Sequence, residues 1–500
     1  MTLPLTFEAS RADAPAEAGA STGLGWSLCV GLLVALFCLV NGTALLNDPD
    51  TQWHIAVGRE IVTSGHFPTV DPFSHSFAGA PWIAKEWLAQ VLLYFGYAAF
   101  GWTGVVLLAM LAIGASAAML SVTLSRVMGP TAAGLATIIA MGLMGSTMLA
   151  RPHILAMPVM LAFTLLLLKA SRREAKTGLI GFGLGALALM ALWVNLHASF
   201  IIGLVIAGGL GLDAVWNAPA DARLRQAVRW GVLLALLTAT TALTPYGLEP
   251  ALMPFKVTSG IESVPFIQEW RPLPLNPSGF AALGLAALLC AALIGGGWRA
   301  APRLLIVLFL AAMMVKHWRF VMLFAVLAPA LAAPELGALL RATGTRLKLF
   351  QGGDALARSS HWRIGAPALG LLVAGLAVVS RPAPPPMVAP VTALQAAGDL
   401  AQRGRVFNSY DLGGFLILNG VPTFIDGRTD QLFLGGFMAG YQTILAKADR
   451  DGLAALLKRY QVDWALVQAG SPEAKLLSGM GWTEKFADKT ARVFVAAPQP

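Results

Sequence analysis

Eleven apolar runs divide this chain, at 25–46, 102–124, 131–149, 154–168, 179–194, 200–215, 231–243, 281–293, 304–315, 321–331 and 364–379. A helix crosses the roughly 30 Å of bilayer hydrocarbon with about 20 residues. Inside that layer every backbone N–H and C=O must be bonded within the protein, so repeated apolar runs imply helices. The fold class expected is therefore mainly α, a polytopic helical membrane protein with about 11 transmembrane helices. Composition agrees, since 57% of residues are apolar and 12% charged, far from globular averages. Cys29, Cys38 and Cys290 all fall in apolar runs, which argues against a disulfide framework or a thiolate metal site.

A net charge of +9 would suit a polyanion, but the basic residues lie in short loops between apolar runs, where they orient a membrane protein. No nucleic-acid partner is expected. The run 87–100 is too short to cross comfortably and suits the membrane surface. Laid there, it leaves Arg126, Lys169-Arg172-Arg173-Lys176, Arg223-Arg225-Arg229, Arg299-Arg303 and Arg341-Arg346-Lys348-Arg358-Arg363 on one side. That side is the cytoplasm. The organisation that follows is a disordered cytoplasmic tail at 1–22, a transmembrane domain at 23–380 and, within it, an outer loop at 47–100 carrying two surface helices.

Beyond the last run, a Pro-rich linker at 381–390 leads into residues 391–500, which read as a small α/β soluble domain. Strands are expected at 405–408, 415–418, 423–425, 464–467 and 492–495, with a helix at 453–460. Asp411, Asp426 and Asp430 lie in or beside glycine-containing turns, where Asp is a turn former. An odd number of spans leaves this domain on the outer side. Its expected role is to assist acceptor or partner recognition without doing chemistry.

Polar residues that do not orient the chain collect on that outer face. They include Asp48-Pro49-Asp50 with Trp53-His54, Arg151-Pro152-His153, Asn195-Leu196-His197, the loop 245–274 with Arg271, and Lys316-His317-Trp318-Arg319. Asp48 before Pro49 reads as a helix N-cap with proline in the first turn. Asp50 would sit near the positive end of the helix dipole, which favours its ionised form. Such a carboxylate can take a proton from an acceptor hydroxyl or, with Asp48, hold a divalent cation such as Mg or Mn. Glu86 is either the cap of the second surface helix or another site carboxylate, with Lys85 beside it as a candidate substrate contact. Arg151, Lys316, Arg319 and Arg271 are candidates for a lipid phosphate. His54, His153, His197 and His317 are placed to hydrogen-bond sugar or phosphate; a zinc or manganese site with the two aspartates is the other reading, without His-x-x-x-His spacing behind it.

A first span, an outer loop opening with acids, two surface helices and a Phe100-Gly101-Trp102 break before the second span resemble the N-terminal module of the GT-C superfamily. That superfamily includes protein O-mannosyltransferases, lipid A aminoarabinose transferases and oligosaccharyltransferases. The segments Asp50-Thr51-Gln52-Trp53-His54-Ile55-Ala56-Val57-Gly58-Arg59, Trp82-Ile83-Ala84-Lys85-Glu86-Trp87-Leu88, Asn195-Leu196-His197, Pro245-Tyr246-Gly247, Gly413-Gly414-Phe415-Leu416 and Asp426-Gly427-Arg428 resemble a bacterial membrane-protein family within it, one that brings no substrate. The resemblance implies a membrane glycosyltransferase of the bacterial inner membrane, working at the periplasmic face. Its donor would be a polyprenyl-phosphate sugar and its acceptor a lipid, glycan or protein. The superfamily's acid, a general base or metal ligand, falls on Asp50, with Asp48 the alternative. Pro49 separates the two acids where many members have them adjacent, so the pattern leaves open which one faces the cavity. Two other classes remain: a non-catalytic scaffold, or a partner that polymerises or ligates lipid-linked glycan in envelope assembly. A transporter is disfavoured, because the polar groups sit at one end of the spans and no halves repeat.

Overall fold

A computed structural model of the protein describes residues 20–172, 180–253, 270–342 and 348–496. Residues 1–19 of the tail, the centre of the loop 245–274 (254–269), and Arg173, Lys176 and Arg346 lie outside the described residues. The chain forms a bundle of apolar helices with a small sheet domain at one end, a multi-pass helical membrane protein. Among the described residues, six helices are long and apolar enough to cross a membrane, or seven if the bent pair Trp318–Leu331 and Ala333–Ala342 counts as one span. Against the eleven runs expected, Pro130–Leu143, Gly181–Leu196 and Phe200–Trp216 are apolar but shorter.

The first helix, Ala20–Val40, leads through a short turn into Asp50–Ser64, the first of the two helices of the outer loop. The second begins at Trp87 and is followed directly by a helix that ends at Met128; the backbone breaks between them at Phe100 (φ −137°) and Gly101 (φ +59°, ψ −145°). Gly101 supplies a conformation that L side chains rarely adopt. The two helices then fold back on each other, so closely that a Cβ on Gly104 would lie 1.9 Å from the Gly96 carbonyl oxygen. The break expected from Phe100-Gly101-Trp102 is thus a reversal of direction that separates a short helix from a long span.

One packing relation fixes the side on which the C-terminal domain emerges. Ala20–Val40 lies beside Trp362–Val379, with Gly25 against Trp362, Leu32 against Gly370 and Gly42 against Pro382. The two helices therefore run in the same direction. The outer loop that follows the first helix and the domain that follows the last must share one face, without any count of the spans between.

The C-terminal domain carries a four-stranded sheet of β1 (Val406–Asn408), β2 (Trp464–Gln468), β3 (Thr483–Ala487) and β4 (Ala491–Val495) in the order β1-β2-β4-β3. The β1–β2 pair is parallel and the other two are antiparallel. The expected α/β character holds, with two local corrections. Residues 415–418 belong to a helix, Gly413–Leu418, and 423–425 form no strand of the sheet, Thr423 instead bridging to Ser74 of the outer loop. A short apolar run does not distinguish buried helix from buried strand. β3 escaped notice because Thr483-Glu484-Lys485-Phe486-Ala487 is an edge strand, charged as edges are.

The linker and domain do not hang free. Gln52 donates to the Val388 carbonyl at 2.8 Å and Thr103 to that of Ser380 at 3.1 Å. Trp53, Val57, Ile61 and Trp82 of the outer loop share one apolar core with Phe407, Ile425, Phe433 and Leu453. Beneath that core Arg428, fully buried, pairs with Asp71 of the loop and with Asp426, and stacks 5.1 Å from the Trp82 ring and 5.3 Å from that of Phe73. Asp426, expected as a turn former alone, is a partner in this buried triad.

Candidate active site

The site begins where the Asp50–Ser64 helix begins. Pro49 already has helical angles (φ −61°, ψ −30°), and the Asp48 carboxylate accepts from Asp50 N–H at 3.1 Å and from the Thr51 hydroxyl at 2.9 Å. This is the capping role expected of Asp48. Arg151, arriving just ahead of the Pro152–Ser171 helix, donates to both Asp48 oxygens and lies 3.2 Å from Asp50 Oδ2. Burial alone would raise the Asp48 carboxyl; the Arg151 charge and these hydrogen bonds outweigh it and hold the group below its ordinary value. The two acids differ in access: the Asp48 side chain is 0% exposed and that of Asp50 18%. Of the pair, Asp50 is the one that meets the outside.

A line of polar side chains runs on from there. His54 is buried and meets Gln90 at 3.1 Å; burial first, and the Arg151 charge next, hold its imidazole well below the usual histidine range. His153 donates Nε2–H to the Thr147 carbonyl at 3.1 Å, and its ring centre is 6.0 Å from that of His197. The Ser199 N–H donates to His197 Nδ1 at 3.1 Å, so the neutral ring carries its proton on Nε2, 3.4 Å from a Glu86 oxygen. Burial lowers His197, with the charges of Arg319 and Lys85 adding to it, and burial raises the Glu86 carboxyl against the pull of Lys85. Lys85 itself pairs with Asp430 of the C-terminal domain, which keeps it charged despite burial. Asp430, too, is more than a turn residue.

The remaining expected residues divide. Asn195 accepts from the Trp87 indole and donates to the Ala191 and Leu243 carbonyls at 2.8 and 2.9 Å, so it ties helices together. Arg319 stacks 5.1 Å from the Trp270 ring, and His317 donates to the Trp270 carbonyl at 2.7 Å. Lys316 and Arg271 are exposed. Tyr246 bridges the loop, accepting from Ala84 N–H and donating to Pro68 O; burial pushes its hydroxyl up to about 12.

Sequence reasoning missed the C-terminal contribution. Gly414 packs on the Pro49 carbonyl, and Gly427 lies against the Asp50 carboxylate. Tyr410 meets Thr429 of the same turn at 3.4 Å; burial, and then the Asp50 charge, raise its hydroxyl far above normal. The motifs Gly413-Gly414 and Asp426-Gly427-Arg428 were a usable signal, since glycine often marks a close approach of backbone.

The donor set does not fit a divalent cation. Among the described residues no three His, Cys, Asp or Glu side chains converge as ligands, and the Arg151 guanidinium already lies between Asp48 and Asp50. At the Asp48–Asp50 pair expected from sequence to hold a divalent cation, the Arg151 guanidinium contacts both carboxylates.

No protein-family model matches the chain, and no curated protein sequence does. Solved structures do. ArnT from Cupriavidus metallidurans in the apo state is similar with a TM-score of 0.54 at 17% identity, over 94% of this chain and 99% of that one. The Archaeoglobus fulgidus oligosaccharyltransferase in the apo form gives 0.55 at 11% identity, over 89% and 69%. The same enzyme in complex with Zn and sulfate gives 0.53 at 12%, over 88% and 68%. The chain has the fold of these proteins.

Proposed function

We propose that the protein is a membrane glycosyltransferase that moves a sugar from a polyprenyl-phosphate donor to a lipid, glycan or protein acceptor, with Asp50 as its general base. The observation that carries this reading is the asymmetry of the two acids: Asp48 is sealed against Arg151, while Asp50, in the first turn of the same helix, retains exposed surface. In the reaction the acceptor oxygen bonds to the anomeric carbon of the sugar. The bond from that carbon to the phosphate oxygen breaks, polyprenyl phosphate leaves with the electron pair, and the hydroxyl proton passes to Asp50. Lys85, Arg271, Lys316 and Arg319 supply positive charge for the leaving phosphate. His153 and His197 hydrogen-bond the sugar, and Glu86 orients His197. His54 and Asn195, buried and bonded within the protein, position the others.

The experiment is mass analysis of envelope lipids and glycans from cells with and without the protein. A glycan lost in its absence, with a polyprenyl-phosphate sugar accumulating, supports the reading; unchanged glycans and lipids reject it.

Two predictions attach here. With Arg151 as the cation between the acids, this mechanism routes no step through a metal. Transfer in washed membranes should therefore keep its rate within about twofold in excess EDTA, since removing a metal that held the reacting groups would cost about 10²-fold or more. The second concerns location. The basic loops lie at the opposite end of the bundle from Asp50, where Arg341 donates to the Val127 carbonyl and Arg303 pairs with Glu335. By the positive-inside bias that end is cytoplasmic, which makes the face of Asp50 and of the C-terminal domain periplasmic. A reporter fused after Pro500 should be active only as a periplasmic enzyme; cytoplasmic activity would reverse the orientation.

A further inference from the structure

The domain after residue 390, expected to assist recognition without doing chemistry, comes directly against Asp50. A Cβ on Gly427 would lie 1.9 Å from Asp50 Oδ1 and 3.0 Å from Trp53 Nε1. No side chain fits there, so the backbone of the Asp426-Gly427-Arg428 turn forms a wall directly against the carboxylate. The wall is rigid: Arg428 fastens it to Asp71, and Gln431 both donates to and accepts from Ile83 at 3.1 Å. Tyr410, from a second segment of the same domain, braces this turn, its hydroxyl 3.4 Å from Thr429 Oγ1, two residues beyond Gly427. The Trp53 indole N–H, buried beside the turn, has no hydrogen-bond partner among the described residues.

We propose that Gly427 and Tyr410 are positioning residues of the reacting centre, which fix the direction of the Asp50 carboxylate between the C-terminal wall and Arg151. The inference rests on the reading of Asp50 as general base. Arg151 holds one carboxylate oxygen from the membrane domain and Gly427 abuts the other from the C-terminal domain, so neither domain alone defines the carboxylate's orientation. A general base acts only when aimed at the proton it takes, and a misplacement of about 1 Å can cost up to ~10²-fold. Gly427 is suited to a clean test. Its φ is outside the left-handed region, so alanine suits the backbone, and the nearest atoms its Cβ meets belong to Asp50 and Trp53.

The test uses membranes containing wild type, Gly427→Ala, Tyr410→Phe or Asp50→Asn, with the polyprenyl-phosphate lipid fraction extracted from cells lacking the protein as the donor probe. Gly427→Ala and Tyr410→Phe should each lower kcat about tenfold or more, leave KM for the donor fraction within about twofold, and displace the acid limb of the kcat–pH profile. Their melting midpoints should match wild type. Should Gly427→Ala fail to fold, Tyr410→Phe decides, because it removes one oxygen and adds no volume. Wild-type kcat and pH profile in Tyr410→Phe, or a kcat loss that only tracks loss of folded protein, overturns the inference. If that occurs while Asp50→Asn abolishes transfer, the base assignment stands and the positioning role alone is lost. Transfer retained by Asp50→Asn removes both.

Discussion

Asp50→Asn should abolish transfer, by 10²–10⁴-fold, in a protein that inserts and folds at wild-type level, whereas Asp48→Asn should deplete the folded protein itself. The first magnitude is that of a general base lost from the reacting centre. The second follows from the different setting of Asp48: fully buried, bonded by Arg151 at both oxygens, and accepting from Thr51 and the Asp50 N–H. Removing one partner of a buried pair costs about 3–5 kcal/mol, because the other charge stays behind. Acid acts on the same group. Since the folded Asp48 carboxyl titrates below its unfolded value of ~3.9, its stabilisation is present above that pH and lost only as pH falls through the lower, folded value. Activity and protein level measured together in membranes separate the two variants. Equal loss of protein in both, or an active Asp50→Asn, would sink the assignment of roles.

Much of this arrangement could be read before any coordinates. Apolar run length gave the membrane, and the basic loops gave the end away from the site. Asp48-Pro49 gave the cap, and Phe100-Gly101 gave the reversal. These signals are local, carried by residues adjacent in sequence or by composition. Which acid faces outward was not legible, because it depends on Arg151, a hundred residues away, choosing Asp48 for its two-oxygen contact. The C-terminal share of the site was less legible still. Gly427 reaches Asp50 only through tertiary packing, and Lys85, read as a substrate contact, meets Asp430 across 345 residues. A pattern of glycines says that backbone comes close to something; it does not say to what.

The attachment of the C-terminal domain sets the second large effect. Among the described residues the Arg428–Asp71 and Lys85–Asp430 ion pairs join it to the outer loop, and burial ranks them. The Arg428–Asp71 pair is 0% exposed on both sides, while the Lys85 and Asp430 side chains are 18% and 33% exposed. Arg428→Leu leaves Asp71 and Asp426 as buried carboxylates without their cation, a loss of about 3–5 kcal/mol or more; it also removes the guanidinium from the faces of Trp82 and Phe73. Asp430→Asn in a partly solvated pair should cost about 1 kcal/mol or less. The expected result is that Arg428→Leu lowers the melting midpoint sharply and opens the loop–domain junction to protease, with transfer lost in step. Asp430→Asn should melt close to wild type. The reverse order would mean that the exposed pair fastens the domain and that the buried triad contributes little net stability. Asp71→Asn distinguishes a charge effect from a volume effect: it keeps the shape, leaves Arg428 with Asp426 alone, and should fall between the two. Because the same turn carries Gly427 against Asp50, loosening it should impair chemistry before the domain detaches, so transfer in Asp71→Asn should drop at temperatures where the protein is still folded.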